Sequence, residues 1–261
     1  MAGFLLVNPR SGDDRPSSGE LVAAAHRRGI EAHVLGDGDD PGVLARDANA
    51  DALGIAGGDG SLAPVAEVAV ERDLPFVCVP FGTRNHFARD LGLEREDPLG
   101  ALDAFAGRER RIDVGRAGDR LFLNNVSLGV YALLVHRREQ RRRRREALAR
   151  LRALLILLTH REPLGITIDG RPEETQLVLV ANNAYVLEPP SIGARDRLDE
   201  GRLYLYVVRG GVDERSGTSF VVDASAGRIE AAVDGEPEVL ETPVEFRIEP
   251  AALRVLVPPD A

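Results

Sequence analysis

The first half of the chain alternates short apolar runs with longer stretches whose apolar residues recur every three or four positions. The apolar runs predict buried strands at Gly3–Val7, Glu31–Leu35, Asp51–Ile55 and Leu74–Val79. The longer stretches predict helices at Leu21–Arg28, Val43–Ala50, Leu62–Val70, His86–Leu91 and Leu99–Ala106. Strands and helices that alternate over short connections are typical of a parallel sheet covered on both faces. The first half therefore predicts an α/β domain.

From Arg110 onward the pattern changes to a period of two, interrupted by turn signals such as Asp169-Gly170 and Asp234-Gly235. The predicted strands are Arg111–Val114, Leu121–Val126, Gly165–Asp169, Gln176–Asn182, Leu203–Val208, Phe220–Asp223, Arg228–Val233, Val244–Ile248 and Leu253–Val257. Many short strands separated by turns predict an antiparallel β-sandwich.

The predicted fold class is thus α/β, with a parallel-sheet domain followed by an antiparallel β-sandwich domain. The change of pattern places the boundary near Gly115–Gly118. The predicted domains are residues 1–115 and 116–249, and the tail 250–261 is a candidate to return to the first domain.

Polar loops that contain glycine follow three strands of the predicted parallel sheet, at Asn8–Gly12, Gly57–Ser61 and Pro80–Asn85. Ligands of such sheets bind outside the carboxyl ends of the strands. Each loop alone is also compatible with an ordinary tight turn between a strand and a helix. The convergence of all three on one edge favours a nucleotide-binding site.

Of the three loops, Gly57-Gly58-Asp59-Gly60-Ser61 has the composition most typical of a phosphate-binding turn. Its glycines let the backbone turn sharply and approach a ligand closely. The N–H groups at the start of the following helix have no intrahelical partner and form an anion site. Asp59 adds a carboxylate to the same turn, which suits a Mg²⁺ ion that bridges the carboxylate and a phosphate.

Composition narrows the classes of function. With 44% hydrophobic residues among 261, the chain can bury a core. All 33 basic residues are Arg, which excludes a Walker-type phosphate lysine, a kinase strand lysine and a Schiff base. Cys78, the single cysteine, lies in an apolar run and is predicted to be a small core residue. Five scattered histidines make no zinc-binding pattern.

The sequence shows no signal peptide, and its longest uninterrupted apolar run, Ala153–Leu158, is too short to span a membrane. We therefore expect a cytoplasmic protein. The segment Arg137–Leu158 is predicted to be a helix, and Arg137–Arg152 contains nine arginines and two glutamates, a net charge of +7. The whole chain has a net charge of -9, so the remainder carries -16.

This basic segment leads into leucines on one helical face, Leu148, Leu151, Leu155 and Leu158. That combination suits the surface of an anionic membrane, where the protein would be peripheral. A solvated helix that packs its leucines on the domain is the alternative. A nucleic-acid arm is the least favoured interpretation, because the segment lacks interleaved aromatic residues.

Taken together, the motifs resemble the diacylglycerol kinase catalytic family, which includes bacterial lipid kinases and sphingosine kinases. The matching segments, in family order, are Asn8-Pro9-Arg10-Ser11-Gly12, Gly57-Gly58-Asp59-Gly60-Ser61, Pro80-Phe81-Gly82-Thr83-Arg84-Asn85-His86-Phe87-Ala88-Arg89, Leu198-Asp199-Glu200-Gly201-Arg202-Leu203 and Asp234-Gly235-Glu236-Pro237. The resemblance implies a nucleotide-binding domain, a β-sandwich domain and catalysis in the cleft between them. It also implies ATP and Mg²⁺ as cofactors and a lipid hydroxyl as the acceptor.

The resemblance also implies roles for individual residues. Glu236 would accept the proton of the hydroxyl, Asp59 would hold or orient Mg²⁺, and Asp234, the rival base, would shape the turn. The nucleotide-binding set consists of Asn8, Pro9, Ser11, Gly57, Gly58, Asp59, Gly60, Ser61, Gly82, Thr83 and Asn85. A second, structural Mg²⁺ would be bound by the side chain of Glu200 and the carbonyls of Arg197 and Arg202.

Four positions depart from the family pattern, and one of them is the end of the second strand, Leu35-Gly36, where many relatives have a Thr that contacts the nucleotide. The others are His86, where the family usually has Asp, Ser61, which replaces a common Thr, and Glu200, where Asp is usual. His86 and Glu200 motivate an alternative, a nucleotide-binding, membrane-associated regulatory protein that is catalytically impaired. An NAD kinase-like enzyme is a more distant alternative, because those enzymes lack the Gly82-Thr83-Arg84-Asn85 pattern. The expected partners are a lipid substrate and an anionic membrane surface, without nucleic acid. The acceptor is expected to be diacylglycerol or a similar lipid. A homodimer is compatible with the sequence.

Overall fold

The computed structural model describes residues 2–11, 16–83, 85–129, 163–188, 191, 193–209 and 211–259. The chain divides into two compact units. The first consists of Met1–Val114, Tyr185–Glu200 and Pro250–Ala261. The second consists of Gly115–Ala184 and Gly201–Glu249.

The described strands are β1 Gly3–Val7, β2 Ile30–Val34, β3 Ala52–Gly57, β4 Phe76–Pro80, β5 Arg108–Ala117, β6 Arg120–Phe122, β7 Asn125–Gly129, β8 Ile166–Ile168, β9 Arg171–Glu173, β10 Leu177–Asn182, β11 Leu203–Val208, β12 Val212–Gly217, β13 Ser219–Ala224, β14 Arg228–Val233, β15 Glu236–Glu241 and β16 Val244–Val257. The described α-helices are α1 Ser18–Arg27, α2 Pro41–Asp47, α3 Ala63–Glu71 and α4 His86–Asp90. Asp59–Ser61 and Gly100–Ala106 form 3₁₀ helices.

The first unit is built on a parallel sheet in the order β2-β1-β3-β4, to which the last part of β16 adds through Val255 opposite Phe76. Strands β3 and β4 are buried along their whole length, as expected for parallel strands with both faces covered. Cys78 on β4 is buried, as predicted, and burial raises the pKa of its thiol, with a smaller contribution from the negative charge of Asp59.

Local sequence sets the helix starts of this unit. The side chain of Ser17 accepts the N–H of Glu20 while the Glu20 carboxylate accepts the N–H of Ser17, which is a complete capping box at α1. The Asp40 carboxylate accepts the N–H groups of Gly42 and Val43 at the start of α2.

The second unit is an antiparallel sandwich. One sheet contains the first part of β16 with β13, β8 and β9, and the other has the order β12-β11-β10-β7-β14-β15. Buried residues of both sheets, such as Phe246 and Val222 from the first and Val126 and Leu205 from the second, form one core cluster. The predicted fold class, a parallel α/β domain followed by an antiparallel β domain, is confirmed.

The structure corrects several predicted elements. The run Leu121–Val126 divides into β6 and β7, while the separate predictions Val244–Ile248 and Leu253–Val257 belong to one strand, β16. The predictions missed β9, β12 and β15, whose residues are mostly charged or exposed and give little period-two signal. The helical segment predicted at Leu99–Ala106 is the 3₁₀ helix Gly100–Ala106.

One segment lies in a different unit from the one predicted for it. The residues Tyr185–Glu200, assigned from sequence to the second domain, belong to the first unit. The physical reason is a set of polar contacts: the Arg195 guanidinium donates to Asp90, and the Leu198 carbonyl accepts the N–H of Asp113 at 2.8 Å. The tail Pro250–Ala261 also belongs to the first unit.

Candidate active site

The described residues of the three predicted loops lie side by side at the carboxyl edge of the parallel sheet. Val7 is paired with Ala56, and Gly57 is paired with Pro80, so β1, β3 and β4 end at the same level. Hydrogen bonds continue past the strand ends: Asn8 donates its N–H to the Ala56 carbonyl at 2.9 Å, and Phe81 donates to the Gly57 carbonyl at 3.1 Å. The alternation of strands and helices therefore places the loops together, as the sequence predicted.

Gly58 of the second loop and Gly82 of the third loop approach each other through their backbones. A Cβ atom built on Gly82 would lie 2.5 Å from the Cα of Gly58 and 3.0 Å from its backbone nitrogen. Carbon atoms do not approach this closely without a bond, so any side chain at position 82 would push the two loops apart. Gly82 is therefore required for the close approach of the two turns, rather than for a special backbone angle.

Asp59 links the same two loops through its side chain. Its Oδ1 accepts the N–H of Phe87 at 2.9 Å, and its Oδ2 accepts the N–H of His86 at 3.1 Å. These are the first two residues of α4, whose N–H groups have no partner within the helix. Asp59 thus caps a helix from 27 residues away, in addition to the nucleotide role expected from sequence.

Asn85 holds the backbone of the third loop at Gly82. It is buried and adopts the left-handed conformation, with φ of 49°. Its side-chain oxygen accepts the N–H of Gly82 at 2.9 Å, and its side-chain nitrogen donates to the Gly82 carbonyl at 2.7 Å. The Asn85 amide therefore fixes the shape of the loop, while neighbouring Thr83 is exposed.

The remaining predicted nucleotide-binding residues surround these turns. Asn8 orders its own loop, because its side-chain oxygen accepts the N–H of Arg10 at 3.0 Å and its carbonyl accepts the N–H of Ser11 at 3.2 Å. Pro9 is exposed. The hydroxyl of Ser61 donates to the Gly58 carbonyl at 2.8 Å, and Gly60 lies between them in the 3₁₀ helix that precedes α3. All eleven predicted positions belong to the first unit.

Asp234 occupies a structural position in the second unit. Only 7% of the residue is exposed, and its carboxylate accepts three backbone N–H groups. The donors are Leu123 at 2.8 Å, Asn124 at 2.7 Å and Asn125 at 3.1 Å. These residues join β6 to β7, which explains why the predicted strand Leu121–Val126 is interrupted there. A carboxylate engaged in this way is suited to hold the turn rather than to accept a proton from a substrate.

Glu236 lies two residues further on, in a different environment. It is exposed and begins β15, where it is paired with Val233 across the turn. Asp234 and Gly235 both have positive φ, 49° and 88°, as a tight hairpin turn between two strands requires. The turn that Asp234 anchors therefore also fixes the backbone from which Glu236 projects.

The residues predicted to hold a structural metal are close to the point in the sequence, between Glu200 and Gly201, where the chain passes from the first unit to the second. Arg197 and Glu200 belong to the first unit, and Arg202 belongs to the second. The Arg202 carbonyl accepts the N–H of Asn183 at 3.1 Å, and the Arg197 side chain pairs with Asp199 at 3.1 Å. A carbonyl oxygen has a second lone pair, so this hydrogen bond leaves room for a cation. The structural metal site stays a prediction.

The donor set at the glycine turns fits a Mg²⁺ ion that arrives with a nucleotide. The Asp59 oxygens accept backbone N–H groups of His86 and Phe87, and a carboxylate oxygen is the kind of ligand that Mg²⁺ prefers. Among the described residues no group of three or more His, Cys, Asp or Glu side chains is placed to hold a metal. Mg²⁺ is commonly held by one or two carboxylates, waters and substrate phosphates rather than by a full protein cage.

The sequence analysis missed a buried ion pair in this unit, Asp90 with Arg195. The Arg195 Nε lies 2.8 Å from Asp90 Oδ2, and both side chains are almost completely buried. The two residues are 105 positions apart, and neither stands in a pattern that sets it apart from surface charges. The apolar residues around Asp90, Phe87 and Leu91, offered the only local signal.

Comparison with known proteins shows what the chain is similar to. Residues 2–117 match the diacylglycerol kinase catalytic domain. A diacylglycerol kinase of Mycobacterium tuberculosis strain H37Rv is 31% identical over 188 residues, which cover 64% of this chain and 59% of that protein. A Pseudomonas fluorescens protein named "Probable lipid kinase YegS-like" is 41% identical over 75 residues, or 28% of this chain and 25% of that protein. The chain thus spans less than two thirds of these curated relatives.

Residues 2–117 are thus similar to the diacylglycerol kinase catalytic domain, which is the resemblance that the motifs predicted. A crystal structure of a diacylglycerol kinase from Bacillus anthracis strain Sterne shares the fold, with a TM-score of 0.70 and 18% identity. That likeness covers 99% of this chain and 97% of the other.

The predicted basic helix, Arg137–Leu158, lies outside the described residues. In the part of the chain that is described, no helix has the length and apolar character needed to cross a membrane.

Proposed function

We propose that the chain is an ATP-dependent lipid kinase that transfers the γ-phosphate of ATP to a hydroxyl of diacylglycerol or a similar lipid. The observation that carries this proposal is the contact of Gly58 with Gly82, held by Asp59 and Asn85, at the carboxyl edge of the sheet. Glycine-rich backbone at the start of a helix is suited to bind phosphate groups. The similarity of residues 2–117 to the diacylglycerol kinase catalytic domain supports a lipid as the acceptor.

In this proposal the first unit binds ATP. The backbone of Gly57–Ser61 and of Gly82 approaches the phosphates, and Asp59 holds or orients the Mg²⁺ that accompanies them. Mg²⁺ supplies neutralisation of the charge on the phosphate oxygens when it is bound. Because phosphoryl transfer depends mainly on position and charge, the fixed geometry of these turns is their main contribution.

The proposed role of Glu236 is to accept the proton of the lipid hydroxyl. The hydroxyl oxygen forms a bond to the γ-phosphorus while the bond from that phosphorus to the β–γ bridging oxygen breaks, and ADP leaves. Two features support Glu236 over Asp234 as the base. Glu236 is exposed on a fixed turn, whereas the Asp234 carboxylate is occupied by three backbone N–H groups.

We also propose that the protein acts at an anionic membrane surface. The +7 net charge of Arg137–Arg152 within a chain of net charge -9 supports this. A lipid substrate is located in such a surface, so binding there would bring the kinase to its acceptor.

The experiment is a screen for products. The protein is incubated with ATP, Mg²⁺ and a bacterial lipid extract, and the lipids are analysed by mass spectrometry with and without ATP. We expect new phosphorylated lipids in the complete reaction, and their identity would name the acceptor. Nucleotide binding without any phosphorylated lipid would overturn the proposal and favour a regulatory nucleotide-binding protein.

A further inference from the structure

Helix α4 has an acidic side chain at each end. At its start, Asp59 accepts the N–H groups of His86 and Phe87. At its end stands Asp90, whose side chain is 1% exposed. Because α4 has only five residues, His86–Asp90, a displacement of one end moves the other.

The Asp90 carboxylate lies between two arginines. Arg195 Nε donates to Oδ2 at 2.8 Å, and the Arg195 side chain is 0% exposed. Arg89 donates to Oδ1 from Nε at 2.9 Å and from Nη2 at 2.7 Å. The same Nη2 donates to the Gly193 carbonyl at 2.7 Å. One buried carboxylate therefore joins α4 to the segment Gly193–Arg195.

That segment is itself ordered by backbone hydrogen bonds. The N–H of Gly193 donates to the Val186 carbonyl at 2.8 Å, and the N–H of Val186 donates to the Ala194 carbonyl at 2.8 Å. Beyond Arg195, the Leu198 carbonyl accepts the N–H of Asp113. The described residues from Gly193 to Leu198 thus support the end of α4.

We infer that Asp90 and Arg195 are a positioning pair for the nucleotide turn: they fix α4, and α4 in turn fixes the Asp59 carboxylate beside Gly58 and Gly82. The inference rests on the proposed function, since it takes the turn to be the nucleotide site. Removing Arg195 leaves the buried Asp90 carboxylate paired with Arg89 of its own helix. Helix α4 then loses the ion pair that joins it to Arg195, and it shifts. The consequence extends to Asp59 because its two acceptor contacts are with the other end of the same helix.

A purely structural pair would behave differently from a positioning pair. If the pair only neutralises buried charge, then removing both charges together restores the protein, because Arg89, which also pairs with Asp90, is 30% exposed and keeps the Gly193 carbonyl as an acceptor. If it positions the turn, the double variant Asp90→Leu/Arg195→Met recovers stability but not nucleotide affinity. The apolar replacements fill the space of the pair without the directed hydrogen bond that orients α4.

The test measures binding of ADP with MgCl₂ by calorimetry and the thermal unfolding midpoint of each variant. We expect Arg195→Met and the double variant to raise the Kd for ADP by roughly 5- to 150-fold, the range typical of coupling between sites. The double variant should unfold near the wild-type temperature. Arg254→Met, which breaks the more exposed pair with Glu109 in the same unit, serves as control and should leave the Kd unchanged.

Wild-type affinity for ADP in the double variant would overturn the inference, and so would failure of that variant to fold, because the pair would then serve the fold alone. Equal loss of affinity in Arg254→Met would also overturn it. Absence of ADP binding by the wild-type protein would instead contradict the proposed function, so the two failures are distinguishable.

Discussion

The carboxylate of Asp59 accepts the backbone N–H of Phe87 at 2.9 Å, which connects the turn after β3 to the helix after β4. A residue expected from sequence to serve Mg²⁺ therefore also joins two loops of the candidate site. Phe87 is fully buried, and its ring packs on that of Phe76 with centroids 6.5 Å apart. The position of Asp59 is consequently set by the core of the first unit and not by its own loop alone.

This double role leads to a prediction that separates binding from capping. We expect Asp59→Ala to abolish phosphoryl transfer and to lower the free energy of unfolding by about 0.5–2 kcal/mol, the usual effect of losing a helix cap. Asp59→Asn keeps one oxygen acceptor, so it should retain most of the stability and still lose activity. Urea unfolding and ATP turnover with lipid measure the two effects.

The matched control is Asp40→Ala, which removes the cap of α2 in the same unit. It should cost a similar amount of stability and leave turnover per folded molecule unchanged. If Asp59→Asn turned over ATP like the wild type, the assignment of the nucleotide site to this turn would be wrong.

The close approach of the two glycine turns predicts the effect of a single methyl group. Gly82→Ala places Cβ against the backbone of Gly58, and backbone cannot rotate away as a flexible side chain can. We expect a loss of about 1–3 kcal/mol in stability, as for other overpacked sites, together with weaker binding of ADP in calorimetry.

Gly19→Ala is the control for Gly82→Ala. A Cβ at Gly19 meets nothing within 4 Å in helix α1, so this change should be neutral or slightly stabilising. Unaltered ADP affinity in a folded Gly82→Ala protein would show that the approach of the loops does not matter for the site.

Substitution of Asp234 should lower the stability of the protein, whereas substitution of Glu236 should lower its activity. Asp234→Ala leaves the N–H groups of Leu123–Asn125 without their acceptor, and each such buried group costs about 1–3 kcal/mol. We therefore expect a large fall in the unfolding midpoint by circular dichroism, with activity lost in proportion to folded protein. A stable Asp234→Ala protein without activity would instead identify Asp234 as a catalytic group.

The basic segment predicts salt-dependent binding to membranes. Each arginine near an anionic surface contributes on the order of 1 kcal/mol, screened beyond roughly 10 Å at 0.1 M salt. Co-sedimentation with phosphatidylserine vesicles should decrease when Arg141–Arg145 are changed to Gln, and when salt is added. Vesicles of phosphatidylcholine alone are the control. If the wild type and the variant sedimented equally with phosphatidylserine vesicles, the basic segment would be a solvated surface without a role in membrane binding.

The sequence predicted those parts of the site that depend on local backbone conformation. The glycine loops and the hairpin at Asp234-Gly235 follow from backbone geometry that few residues allow, so their composition reveals them. The edge strands β12 and β15 escaped because their residues are exposed on most sides and show no clear alternation. The bonds of Asp234 to residues about 110 positions away, and of Arg195 to Asp90, depend on tertiary packing that no local pattern records.

The role of Glu236 gives the most direct test of the account. A lipid hydroxyl reacts poorly until its proton is accepted, and general-base assistance is typically worth about 10² to 10⁴ in rate. Glu236→Gln keeps the size of the side chain and removes the base, while Glu241→Gln changes another exposed glutamate at the far end of β15.

The decisive measurement is formation of phosphorylated lipid from ATP and dioleoylglycerol in mixed micelles, with ADP affinity determined on the same samples. The account predicts product from the wild type and from Glu241→Gln, and a fall of about 10² to 10⁴ in rate for Glu236→Gln with ADP affinity nearly unchanged. Full activity of Glu236→Gln would contradict its role as the base. If the wild type phosphorylated neither dioleoylglycerol nor any lipid of a total extract, the account as a lipid kinase would be wrong.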